Sequence, residues 1–567
     1  MKKKIFAILI VIAMSASFFG CSQNEENTST TKAEGTTTAA AAGDTTKAPD
    51  KTDGDDSEVE SSGEITKFTF FRDSYNGVAI QGWENMEWMK EWCRRNNVEI
   101  EFKGPAAGED ATQATNIMLV SGDYPEVIYF NWNEYSGGLK GAIEDEIVVD
   151  LGAKYRDQLP NWFALQDENE NIRRAVTLDD GTSALLCHVE FDLKRAAYHG
   201  YAIRKDWLDQ LDMEVPTTID ELYDFAKAVS GQDMNGDGST DTYAFTDQAD
   251  GTTLPSFIKL LGAAWGLRAD SIGLDPETGL VTWWTSVDDG KAFTDFTETM
   301  AKWYQEGLFD PDCLTNDAAA REAMITSGKA GMFTCYSSQT ARFSEPLKSV
   351  VPDSEIYGMV PVIGPAGKPY NINDAHVRYA ASNEGTCVTV KAEENGSIDA
   401  ILKFLDYGYS PEGDELINWG EEGVSFKNDG GNRVWTETVT NDPEFQFGDI
   451  IVKYAIPTRG GWPKIMSYDA WYAAEVQSDV QSIAHENYWK ADTGILVPPI
   501  MLSRDEADEY NRIMVDARTM INENFSQFFN GTKPTSEIPA FLEQLNSLNI
   551  DRAMELYNDA YERYLNK

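Results

Sequence analysis

The chain has 567 residues and a formal net charge of −47, from 94 acidic and 47 basic side chains. That balance repels phosphate backbones and anionic lipid headgroups, so nucleic acid and anionic lipid are poor partner candidates. With 42% hydrophobic and 11% aromatic residues, the length can fill the cores of two or more domains or lobes.

Lys2, Lys3 and Lys4 precede an unbroken apolar run from Ile5 to Met14. The run is too short to span a bilayer and small residues follow it, so residues 1–20 read as a secretory signal peptide. Gly20-Cys21-Ser22 places a thiol directly after the expected cut, the arrangement of a bacterial lipoprotein signal, although Phe18 and Phe19 are bulkier than is usual there. Cys21 is therefore the expected lipidation site, and the cell membrane's outer face the expected location. The lipid would be the only membrane contact, since no other stretch is long and apolar enough to cross. Residues 21–64, rich in Thr, Ala, Ser, Gly, Asp and Glu, cannot bury a core and read as a flexible spacer.

Order is expected from Ile65. Ile65 to Phe71 alternates as a strand. Glu84 to Asn96 sets Trp88, Trp92 and Cys93 at helical spacing, and Val98 to Phe102 alternates again. Ala111 to Ser121 reads as a helix and Val127 to Phe130 as a short buried strand. Strand and helix in alternation imply a mostly parallel sheet with flanking helices. A second unit begins near residue 198. Within it Thr218-x-x-Glu221 is a capping box opening a helix through Val229. Leu280 to Trp284 reads as a hairpin arm, Phe293 to Glu306 as a helix stopped by Gly307, and Ser503-x-x-Glu506 as the cap of a long amphipathic helix.

Four segments in order carry a resemblance. Ser121-Gly-Asp-Tyr-Pro-Glu126 is a turn before a strand. Tyr201-Ala-Ile-Arg-Lys-Asp-Trp-Leu208 leads to Val215-Pro-Thr-Thr218. Trp303-Tyr-x-x-Gly307-Leu-Phe-Asp-Pro311 ends a helix, and Ser327-Gly-Lys-Ala-Gly-Met332 enters a strand. Together they resemble the extracellular solute-binding proteins of ABC importers, and the long carboxyl-terminal part resembles the larger, oligosaccharide-handling branch. The resemblance implies an α/β, two-lobed periplasmic-binding-protein-like fold (type II) with discontinuous lobes and a ligand cleft between them. The solute-binding domain would span 65–567, with a first lobe of about 65–195 plus returning segments and a second of about 196–340 plus carboxyl-terminal segments. The chain would cross near 190–200 and return near 335–355. A monomer that delivers its solute to a membrane permease is implied, with hinge closure as the functional motion.

Stacking indoles and polar rims suit sugar rings, whose faces carry C–H bonds and whose edges carry hydroxyls. Trp88, Trp92, Trp207 and Trp303 fall on amphipathic helices and are expected in cores. Trp132, Trp265, Trp419 and Trp462 lie beside glycines or polar loop residues and are the cleft candidates, at least two of them expected to line it. Arg72, Asp73 and Tyr75 follow the first strand, where open α/β sheets meet ligands. Arg204 is either a further cleft residue or the partner of Asp206.

Asp233, Asn235, Asp237, Ser239 and Asp241 reproduce the front of an EF-hand loop, with Gly238 at its sixth position. Ala244 stands where the bidentate Glu is expected. A structural calcium ion is one reading; a metal-free Asx turn is the other. Cys93, Cys187, Cys313, Cys335 and Cys387 form no CxxC pair and read as buried free thiols. The four histidines show no metal spacing. The leading expectation is a binding module rather than an enzyme. An exported glycoside hydrolase with paired carboxylates, or a peptide or amino-acid binder on the same fold, are the alternatives.

Overall fold

The computed structural model describes residues 64–567 except 107–108, 250–253 and 382–383. The signal peptide, Cys21 and the spacer as far as residue 63 lie outside the described residues. Among the described residues no helix is long and apolar enough to cross a membrane.

The first sheet is built as the alternation implies. β1 (Thr66–Phe71) pairs in parallel with β2 (Val98–Lys103) and with β3 (Val127–Asn131). Helices Glu87–Asn96 and Ala111–Ser121 make the crossovers. The first helix buries Trp88 and Trp92, whose indole N–H groups donate to the Val452 and Phe404 carbonyls at 3.2 and 3.0 Å. These two indoles thus find acceptors, which removes the cost of an orphaned N–H.

β4 (His188–Glu190) ends this stretch, and β5 (His199–Arg204) already belongs to a second sheet. Helix Ile219–Val229 opens with both halves of the Thr218/Glu221 capping box formed. It leads through the Asp/Asn/Gly loop into β6 (Tyr243–Phe245). β7 (Ile272–Leu274) and β8 (Val281–Trp283) form the expected hairpin. β9 (Ala330–Tyr336) lies parallel to β6 and antiparallel to β5. After helix Gln339–Val350 the chain returns as β10 (Ile356–Met359), antiparallel to β5 with Ile356 opposite Arg204. The second sheet, ordered β10-β5-β9-β6, is therefore mixed rather than mostly parallel.

β11 (Glu384–Val388) rejoins the first sheet beside β3, giving the order β11-β3-β1-β2. The return crossing accordingly falls between Met359 and Glu384, later than the 335–355 implied by resemblance, because β9 and β10 both pair within the second sheet. After the small hairpin β12 (Phe426–Asp429) and β13 (Asn432–Trp435), β14 (Lys464–Met466) runs parallel to β4. From there helix Asp479–Trp489 packs on β10 and β5. Two large cores result. One holds Phe70, Trp88, Trp92, Ile128, Val388 and Trp462. The other holds Trp207, Phe245, Phe296, Trp303 and the apolar side of helix Arg504–Phe529. β4 and β14 lie against the first core, and the chain passes to the second after each of them.

Candidate functional site

A cavity of about 490 Å³ opens at the carboxyl ends of β1 and β3. Parallel strands converge their following loops at this edge, which is where open α/β sheets hold ligands. Arg72 is the first residue past β1 and is only 4% exposed. Its guanidinium packs against the Trp83 and Trp462 rings, 4.2 and 4.1 Å from their centroids, with Tyr129 at 4.9 Å. Nη1 donates to the Gly461 carbonyl at 3.2 Å and Nη2 to Asp73 Oδ1 at 3.3 Å, while Nε is buried without a partner. Burial lowers the Arg72 pKa to about 10, with Asp73 opposing, so the group stays charged at neutral pH.

Around this cation the wall is aromatic and polar. Tyr75 packs on Trp83 at 5.2 Å and carries the Arg459 guanidinium 5.1 Å above its ring. Tyr129 donates to Glu384 Oε1 at 2.5 Å across the β3–β11 pair. Burial, with Glu384 beside it, pushes that hydroxyl far above the usual tyrosine range. Gly461 has φ 82°, and a Cβ there would lie 3.0 Å from the Tyr129 hydroxyl, so glycine is needed both for the turn and for the approach. Its N–H donates to His188 Nδ1 at 3.2 Å. Burial holds the His188 pKa down at about 3, aided by nearby Arg195 and Lys464, so the ring is a neutral acceptor.

The second sheet carries a matching polar pocket, about 230 Å³, past the carboxyl ends of β6 and β9 and beside the start of β5. Asp247 there accepts from the Gln248, Phe257 and Ile258 N–H groups at 2.9, 2.6 and 3.3 Å. Burial outweighs those bonds and raises its pKa to about 7. Arg321 donates to the Thr334 carbonyl and leaves a buried Nε unpaired. Tyr336 stands at the rim, 47% exposed, with Tyr198 and His199 edge-on at 5.5 and 5.4 Å. Phe191, directly after β4, is 48% exposed.

Of the sequence candidates, Arg72, Asp73 and Tyr75 come together in the first pocket. The four tryptophans do not line it, because each is spent on packing. Trp132 is fully buried and donates to the Gly385 carbonyl at 3.2 Å. Trp265 packs on Phe296 in the second core. Trp419 packs at a tilt on Trp435, 4.7 Å between centroids, and meets a separate groove that also holds Tyr468 and Tyr472. Trp462 lies beneath Arg72, among Phe70, Trp83 and Trp88. Arg204 is fully buried and forks onto Asp206 at 2.8 and 2.6 Å, the second of its two readings. Trp83, Arg459 and Tyr336 were missed, although Trp83 follows Gly82 and so fits the indole-beside-glycine pattern used for the other four.

In the Asp/Asn/Gly loop, Gly238 N–H donates to Asp233 Oδ2 at 3.0 Å and Ser239 N–H to Asp237 Oδ1 at 2.8 Å. Asn235 Nδ2 lies 3.1 Å from Asp237 Oδ2. Asp241 is drawn to Lys329, 2.5 Å away, while its Oδ1 is buried without a partner. Among the described residues no three His, Cys, Asp or Glu side chains gather as a metal cluster, so any ion here also needs Asn235 and the Ser239 carbonyl. The donors are all oxygen, which fits calcium; the missing twelfth-position carboxylate and the Asp241–Lys329 pair are departures from the full loop. The five cysteines of the described residues are free, and all but Cys93 are buried.

The family model for bacterial extracellular solute-binding proteins matches residues 83–415. Polygalacturonan/rhamnogalacturonan-binding protein YtcQ of Bacillus subtilis is 23% identical over 445 residues, 78% of this chain and 78% of its own. The fructooligosaccharide ABC transporter substrate-binding protein FusA of Streptococcus pneumoniae is 26% identical over 333 residues, 55% of this chain and 56% of its own. Among solved structures, calcium-free alginate-binding protein AlgQ2 superposes with a TM-score of 0.67 at 23% identity, covering 88% of this chain and 98% of that one. The two-lobed fold is thereby shared.

Proposed function

The chain belongs to the bacterial extracellular solute-binding protein family, and we propose that it captures an oligosaccharide outside the cell and passes it to an ABC importer permease. One observation carries the ligand class: a guanidinium charged at neutral pH and packed against two indoles, in a pocket walled by Tyr75, Tyr129 and Arg459. Aromatic faces suit sugar C–H surfaces, and charged or amide rims suit hydroxyls. YtcQ, a polygalacturonan/rhamnogalacturonan-binding protein, and FusA, a fructooligosaccharide-binding one, point the same way.

Binding without turnover is part of this reading. Both carboxylate oxygens of Asp247 already accept backbone N–H groups, from Gln248, Phe257 and Ile258, so this carboxylate is engaged in holding its own loop and the start of the following helix. Lipid attachment at Cys21 rests on Gly20-Cys21-Ser22 and would hold the protein near its permease. A calcium ion would be held by the side chains of Asp233, Asn235 and Asp237 and by the Ser239 carbonyl, with Asp241 reached through its free oxygen. It would supply charge neutralisation within the loop, not chemistry on the ligand.

Screening the full chain against immobilised glycans, amino acids and short peptides tests the ligand class. Retention by one or more glycans alone is expected. Retention only by peptides or amino acids would replace this reading with the other solute class.

A further inference from the structure

The carboxyl-terminal helices pack into the second core through Ile521, Phe525, Phe528, Ile550 and Met554. Their polar edges nevertheless reach the first lobe at two places. Arg504 opens its helix against the turn that follows β3, with Nη2 3.4 Å from Ser136 Oγ and Nη1 3.9 Å from Asp145 Oδ1. A Cβ on Gly137 would sit 2.5 Å from the Arg504 side chain, so the glycine makes room for the arginine. At the other end Arg563 Nε donates to Asp179 Oδ2 at 2.7 Å. Lys567 Nζ is 3.0 Å from Asp179 Oδ1 and donates to the Thr177 carbonyl at 2.8 Å. Arg174 returns a bond from the first lobe to the Leu565 carbonyl at 3.1 Å.

In a chain of net charge −47, bringing two lobes together presses like charge on like charge. At these two places the second lobe instead sets cations on carboxylates and carbonyls of the first. Rotation of one lobe against the other would pull those groups apart, since the helices that carry the cations pack into the second core while their partners follow strands and helices of the first. We propose that Arg563 and Lys567 on Asp179, with Arg504 on Ser136 and Asp145 at either end of helix Gly138–Glu144, form an ionic clasp that biases the ligand-free protein toward the lobe arrangement seen here. Each exposed pair is weak, but all are broken in one motion, so removing one shifts the open-to-closed ratio by roughly threefold.

Small-angle scattering on the ligand-free full chain tests this, because lobe separation raises the radius of gyration whatever the ligand. Asp179→Asn should be more expanded than the wild type, Asp179→Glu should match it, and Arg504→Gln should expand independently. Circular dichroism checks that each variant is folded. Folded Asp179→Asn and Arg504→Gln proteins with wild-type radii would overturn the clasp, as would an Asp179→Glu protein as expanded as Asp179→Asn. If Asp179→Asn fails to fold, Arg504→Gln alone decides by the same criterion.

Discussion

At the scale of single residues, the main lesson concerns which aromatic rings are free to touch a ligand. Trp132, Trp419 and Trp462 stand beside glycines or polar residues in the sequence, as ligand-contacting rings often do, yet packing claims each of them. A large apolar ring gains about 2–3 kcal/mol by burial, and a loop passing over the core is enough to collect it. Tyr336 is the reverse case, a ring left half exposed at the end of a strand with its neighbours edge-on. Tyr336→Ala should therefore weaken oligosaccharide binding about fivefold or more in calorimetry while leaving the melting temperature nearly unchanged. Trp462→Ala should do the opposite first, costing about 3–5 kcal/mol of stability in denaturant titration, since it empties the space beneath Arg72.

The buried neutral His188 gives a pH signature at the same scale. Its folded pKa of about 3 lies below the ordinary 6.5. Between those values the unfolded chain binds the extra proton, so stability is full above pH 6.5 and declines as pH falls toward 3. His199, lowered by burial to about 4, acts in the same direction, while Asp247, raised to about 7, opposes them between its ordinary carboxylate value and 7. His188→Asn keeps an acceptor for Gly461 N–H and cannot titrate. Its unfolding free energy should fall less steeply than the wild type's from pH 6.5 to 4; identical slopes would mean that His188 does not carry the effect.

At the scale of elements, local signals were legible and long-range pairing was not. The Thr218 capping box, the Ser503 box and the Ala111–Ser121 helix follow from residues a few positions apart, and the structure forms each of them. The late return crossing depends on β10 pairing with β5, where Ile356 meets Arg204, 152 residues earlier, and no local pattern encodes that partner choice. The Asp233–Asp241 loop is an intermediate case. Its turn glycines, Gly236 and Gly238, adopt φ 74° and 88°, as a tight acidic loop requires, but Lys329 comes from a distant strand entry to take Asp241. With calcium bound to the folded state only, chelation should lower the melting temperature and added calcium restore it. Asp237→Ala should remove that response. A melting temperature indifferent to chelator, with no metal in the purified protein, would leave the loop as a turn.

At the scale of the molecule, the two-lobed architecture was readable because four family segments appear in order, while the pocket was read only in part. Arg72, Asp73 and Tyr75 follow from the rule that ligands meet strand ends, whereas Arg459 and Glu384 reach the same cavity from more than 300 residues away. Anchoring belongs to this scale as well. Cys21→Ala should release the protein from the membrane fraction, and retention without attached lipid would contradict the anchor.

The most direct test of the central claim is to titrate the full chain with a glycan retained in the screen, follow the heat, and then recover the sugar for chromatography. The account predicts saturable one-to-one binding with the oligosaccharide recovered intact and the protein more compact in scattering. Cleaved sugar that accumulates with time, and is abolished by changing a single groove carboxylate such as Asp73 or Glu384, would make the protein a hydrolase and contradict it.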